Sequence, residues 1–238
     1  MSWRRLDAEK IIQTADVLRH RIAERFPQAG LTRVAQDFVQ LARDTRADAL
    51  RLEEPIVWLR VVVAIAFVAG AATFAFVGTF ISFDASTERG LGFVEGIEAA
   101  INTIVLAAVG FYTLAKMEER LKNRAALNGL HSLRSVIHII DMHQLTKDPV
   151  VFTKAFRPTA SSPSRTMSVT DMKRYLDYCS ELLSLSGKLA ALYAQSLNNA
   201  VVVEAVNDIE NLATNLSRKI WQKITLLDAS VDRRRREA

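Results

Sequence analysis

The stretch IVWLRVVVAIAFVAGAATFAFVGTFISF, residues 56–83, decides the fold together with FVEGIEAAINTIVLAAVGFYTLA, residues 93–115. The first run is 28 residues with one charge, Arg60, and the second is 23 residues with two, Glu95 and Glu98, near its start. A bilayer core about 30 Å thick takes about 20 apolar residues as helix, so both runs have the length of a span. In lipid every backbone polar group must be satisfied inside the segment or in a closed barrel, which makes each run a helix. The expected fold is an all-α membrane protein. A hairpin of two transmembrane helices, spans 56–83 and 93–115 with an external loop 84–92, is joined to a cytosolic helical bundle. That bundle is built from N- and C-terminal helical pairs and a long extension of the second span.

Lysine and arginine near the spans set the orientation. Arg43, Arg46 and Arg51 precede the first run, and Lys116, Arg120, Lys122 and Arg124 follow the second, whereas the loop carries only Arg89. Both termini are therefore expected in the cytoplasm, in a plasma or bacterial inner membrane. Trp58, Tyr112 and Lys116 sit where interfacial anchors belong. Arg60 leans toward its helix N-terminus and reads as a snorkelling anchor. The first run begins after 55 residues of amphipathic sequence with no small-residue cleavage site behind it, so no signal peptide is read. The single cysteine, Cys179, falls on a helical apolar face and reads as a reduced core residue.

Six segments follow from the pattern. Residues 1–54 form a helical hairpin, with Ile11, Ala15, Leu18, Ile22 and Phe26 on one face, a break at Pro27 and Gly30, then Val34, Phe38, Leu41, Thr45 and Leu52. Residues 55–115 are the membrane hairpin. Residues 116–146 continue the second span with Leu121, Leu127, Leu130, Leu133, Ile137 and Ile140 in helical register, Gly129 being a candidate bend. Residues 147–167, with Pro149, Pro158, Pro163 and several serines, read as a linker. Residues 168–230 form a second helical hairpin. It starts on a Ser168 cap, turns at Asn198-Asn199, and carries Val202, Val206, Ile209, Ala213, Leu216, Ile220, Ile224 and Leu227 close to a heptad seam. Residues 231–238 are a basic tail containing Arg233–Arg236, read as solvated.

Three groups of residues stand out. Ala64, Ala71, Ala75, Gly78 and Ser82 form a small-residue face on the first span, which lets helices approach closely within the hairpin or between subunits. Glu95, Glu98 and Asn102 share one side of the second span. Polar groups in a membrane usually face protein or water, so this stripe is expected to line a passage or to bond helix to helix. On the cytosolic extension Arg124, Asn128, His131, Arg134, His138 and Asp141 form a polar stripe, expected as a hydrogen-bonded network across the bundle or between subunits.

His131 and His138 are seven residues apart, about 10.5 Å along the axis, too far to share a metal. Arg followed by His at short spacing resembles the motif of HEPN-type ribonucleases. Arg134 to His138 has three intervening residues and Arg124 to His131 six, without the surrounding pattern. An Arg/His-dependent, nuclease-like enzyme is accordingly the remotest of the readings. Phosphate-binding glycine loops, dinucleotide fingerprints, nucleophile elbows and cysteine metal clusters are absent from the sequence. No catalytic residue, cofactor or metal is assigned.

A two-span hairpin joined to cytosolic helices is similar in layout to small bacterial two-span effectors such as the SLATT class, which implies a membrane effector. The similarity is of layout and brings no site residues. The leading expectation is a homo-oligomeric two-pass membrane protein, a channel or membrane-disrupting effector controlled by its cytosolic helices. Its partners are the lipid bilayer and further copies of itself, with no nucleic acid. The alternative is a non-channel inner-membrane adaptor that holds a cytosolic protein partner through the heptad-like last helix and the basic tail.

Overall fold

A computed structural model describes the backbone of residues 5–80, 90–153, 156–162 and 167–237, and the side-chain surroundings of all of these except 74, 77–80, 90–97, 99, 100 and 230–237. The loop residues 84–89 and Ser82 lie outside the described residues. The chain is all-helical, and no strand occurs among the described residues. In chain order the helices are α1 (Ala8–Arg25), α2 (Gly30–Glu53), α3 (Val57–Phe80), α4 (Gly90–Ala115), α5 (Met117–Leu145), α6 (Val169–Ser196) and α7 (Ala200–Glu237), with a short 3₁₀ turn at Pro149–Phe152. They divide into two compact units, residues 1–53 with 123–238, and residues 54–122.

In the first unit the amphipathic stripes meet in one core. Every residue expected on the α1 face (Ile11, Ala15, Leu18, Ile22, Phe26) is buried, as are Val34, Phe38, Thr45 and Leu52 of α2. The heptad-like positions of α7, Val202 through Leu227, are buried as well, and α6 and α7 form an extended antiparallel pair. Phe26 packs edge-on against Tyr175 with ring centroids 5.4 Å apart, joining the end of α1 to α6. Asp7 accepts from the backbone N–H groups of Glu9 and Lys10 at the start of α1. Ser168 accepts from that of Asp171 at 3.0 Å at the start of α6. Such caps satisfy donors that the first helical turn leaves unpaired.

α5 runs helical through Gly129, from Met117 to Leu145. The glycine is a point of close approach, because a Cβ there would collide with the hydroxyl and ring of Tyr193 on α6. Leu121 and Leu127, expected on the buried face of α5, are exposed. Leu127 sits about 100° round the helix from Ala126, which is fully buried, and one-residue steps of that size carry a side chain off a stripe. The linker is anchored at its start, since Pro149 is buried and Val151 and Phe152 pack on the core next to α7.

The second unit consists of α3, α4 and the first turn and a half of α5. α3 and α4 pair antiparallel, with Phe67 stacked on Phe111 at 3.9 Å between centroids. Among the described residues one helical stretch, within Gly30–Thr73, is long and apolar enough to cross a membrane, and 6 % of its most apolar window is buried. The apolar residues of a bundle's core helix are covered, and these are bare. α4 starts at Gly90, three residues ahead of the expected Phe93.

Candidate functional site

The second unit gathers most of the residues singled out in the sequence, and its geometry grows from which side of α3 and α4 meets the other. Leu59 is buried and Val63 and Ala66 are half-buried. They recur at a spacing that leads on to Gly70, where an added Cβ would lie 3.0 Å from Phe111 Cζ. Absence of a side chain at Gly70 lets the Phe111 ring lie across α3 and stack on Phe67. On the small-residue face Ala64, Ala71 and Ala75 are exposed. Gly78 and Ser82 fall outside the described side chains.

Below the ring contact the pair is tied by Glu118, a residue the sequence reading passed over. Its Oε2 accepts from Arg60 Nε at 2.8 Å, and its Oε1 accepts from Arg60 Nη2 at 3.3 Å and from the backbone N–H of Ile56 at 3.2 Å. Lys122 Nζ adds an ion pair at 3.2 Å. Bonded to Arg60, and with Ile56 N–H and Lys122 also on it, the Glu118 carboxyl is held down at about 2. Arg60 is thus the partner of a half-buried carboxylate, its guanidinium holding both oxygens. A signal existed in the sequence: Glu118 and Lys122 are an i, i+4 pair immediately after an apolar run that contains no cation until Lys116. Lys116 itself is paired with Glu119 at 2.8 Å, and Trp58 and Tyr112 are both exposed.

The polar stripe of α4 points elsewhere. Asn102 lies nine residues from Phe111, about 2.5 turns, and therefore on the opposite side of the helix. Glu98 stands in the same relation to the half-buried Leu114, sixteen residues or about 4.4 turns away. Glu98 and Asn102 are exposed, as is every residue from Ile101 to Gly110. Thr73 donates its hydroxyl to Ala69 O of its own helix at 2.9 Å. The side chain of Glu95 lies outside those described.

The stripe on α5 is a surface and not a buried network within the chain. Arg124, Asn128, His131 and His138 are exposed. Arg134 reaches Asp208 of α7 at 3.6 Å. Only Asp141 enters an inward network: Gln144 Nε2 donates to Asp141 Oδ1 at 2.6 Å, and Lys223 Nζ donates to Gln144 Oε1 at 2.6 Å and Gln144 O at 3.0 Å. Burial pulls Lys223 below the ordinary lysine value, and the two acceptors on Gln144 hold its ammonium. His143, outside the predicted stripe, packs against Gly30 and is likewise pulled down by burial and by Lys147. Cys179 is fully buried, and burial pushes its thiol up to about 12. Among the described residues no group of three His, Cys, Asp or Glu side chains is placed to hold a metal ion.

No protein-family model, curated protein or solved structure matches this chain.

Proposed function

We propose that the protein inserts α3 and α4 into a bilayer as a two-pass hairpin, with both termini cytoplasmic, and assembles with copies of itself. The assembly acts as a channel or membrane-disrupting effector governed by the helical bundle. The observation that carries this reading is the direction of the α4 stripe. In a lone hairpin Asn102 and Glu98 face away from α3, so they would meet hydrocarbon, which is costly for an amide and far more so for a carboxylate. A second copy removes that cost by accepting hydrogen bonds from Asn102 or by enclosing water, and a ring of Glu98 carboxylates favours cations. The exposed Ala64, Ala71 and Ala75 supply a second surface on which helix backbones can approach closely. The bare apolar girdle of Val61, Val62, Ile65 and Val68 on α3 with Ile104, Val105, Leu106 and Val109 on α4 is the surface lipid would cover.

Two measurements test the proposal: native mass of the purified protein in mild detergent, and conductance after reconstitution into planar bilayers. Defined oligomers that conduct, with selectivity changed by Glu98→Gln, are expected. A monomer that conducts nothing refutes the reading. The adaptor alternative draws less support, because the α7 seam that would have engaged a partner is spent on α6.

A further inference from the structure

Between α6 and α7 a cleft of about 490 Å³ opens beside the core, within the range of roughly 300–1,000 Å³ usual for small-ligand sites. Its chemistry is uneven. Ser184 and Lys188 of α6 and Thr214, Arg218 and Trp221 of α7 line it, with Glu210 toward one end. Thr214, Arg218 and Trp221 recur at i, i+4 and i+7 and so share one face of α7.

The two cations line the same cleft. Lys188 folds back along α6, its Nζ donating to Ser184 Oγ at 2.7 Å and to Ser184 O at 3.3 Å. The antiparallel register is set by the 2.6 Å hydrogen bond between Ser180 Oγ and Ser217 Oγ, which brings Ser184 level with Thr214. Long side chains on a helix lean toward its N-terminus, which directs Arg218 back over Thr214. No carboxylate is within ion-pair distance of Arg218 among the described residues. Two cationic side chains and two hydroxyls thus line the cleft, the donor types that hold a phosphate. About two turns further along α7, Trp221 is 54 % exposed, a large flat ring left bare. At the other end Glu210 opposes any extension of negative charge.

We propose that this cleft binds a nucleoside monophosphate, with the phosphate between Lys188 and Arg218 and the base stacked on Trp221. Glu210, about one turn beyond Thr214, limits the anion to a single phosphate.

The test uses the full chain in detergent, titrated with adenosine, guanosine and uridine 5′-monophosphates and followed by calorimetry and tryptophan fluorescence. Inorganic phosphate, free adenosine and a short oligonucleotide form the comparison arms. At least one monophosphate is expected to bind and quench fluorescence, more tightly than phosphate or nucleoside alone. Arg218→Gln removes a charge-assisted contact and should weaken binding about tenfold or more. Trp221→Leu removes the stacking surface, costs about five- to hundredfold, and abolishes the quench. Both residues are exposed, so circular dichroism matching wild type is expected of each variant. The proposal is overturned if no monophosphate binds at millimolar concentration, if Arg218→Gln binds as tightly as wild type, or if the oligonucleotide binds more tightly than its monomer.

Discussion

Replacing Gly129 by alanine sets two physical effects against each other with opposite signs. An alanine in a helix interior is favoured over glycine by about 1 kcal/mol, and α5 is regular helix on both sides of this position. Taken alone, the substitution should stabilise. The tertiary contact reverses it. The new Cβ would overlap the Tyr193 hydroxyl, with Cζ at 2.5 Å and Cε1 at 3.2 Å. Tyr193 is 1 % exposed, and its Oη reaches toward Asp48 at 3.4 Å, so the ring has no solvent side to swing into. Overpacking of this kind costs about 1–3 kcal/mol, and so direct an overlap belongs at the upper end. The net loss is then about 2 kcal/mol. For a chain of this length each kcal/mol moves the midpoint by about 2–4 °C, so Gly129→Ala should lower Tm by about 4–8 °C.

Thermal unfolding of the detergent-solubilised chain by far-UV circular dichroism reads this directly, and a cycle with Tyr193→Ala isolates the cause. Tyr193→Ala alone should cost about 3–5 kcal/mol through the cavity it leaves. In that background the Gly129 methyl meets open space, and the same substitution should raise Tm. The sign change between backgrounds corresponds to about 3 kcal/mol of coupling, well above the scatter of independent sites. A rise in Tm when Gly129→Ala is made in the wild-type background would refute the steric account of α5 against α6.

Three further outcomes follow from the same geometry. Glu118 is ionised in the folded protein down to about pH 2, against an ordinary value of 4.5, so the unfolded chain binds the extra proton between them. Its contribution is present above about 4.5 and fades as pH falls toward 2. Glu118→Gln should remove that part of the acid sensitivity in a pH series of Tm, and an unchanged acid limb would show that the carboxylate clasp carries no stability. Asn102→Leu should shift the native-mass distribution in detergent toward smaller species if Asn102 bonds between copies, and an unaltered distribution counts against that role. Cys179, with its thiol pushed up to about 12 and fully buried, should react with a maleimide only after denaturation, and labelling of the native chain within minutes would contradict its burial.

Much of this molecule is legible in one dimension. Helix existence, the break at Pro27–Gly30, the Ser168 cap, the turn at Asn198-Asn199 and the buried faces of α1 and α7 all follow from the 3.6-residue period and local capping chemistry. These are short-range properties that each segment carries alone. The apolar runs announce themselves in the same way, because length and hydropathy are sums over a stretch. What an amphipathic stripe cannot state is which neighbour covers it, since any complementary surface satisfies the same pattern. Only the packed chain decided that the α7 seam belongs to α6, that the His131 and His138 stripe is surface, that Glu118 answers Arg60 across 58 positions, and that Gly129 makes room for Tyr193. The same holds for the opening stretch. Its composition made it a candidate span, whereas the sides of α3 and α4 that face each other, and hence the outward direction of Asn102, come from pairing the two helices. Pairing is a long-range choice between surfaces of equal hydrophobicity, settled by the shape of Gly70 beneath Phe111 and by one carboxylate beside one guanidinium.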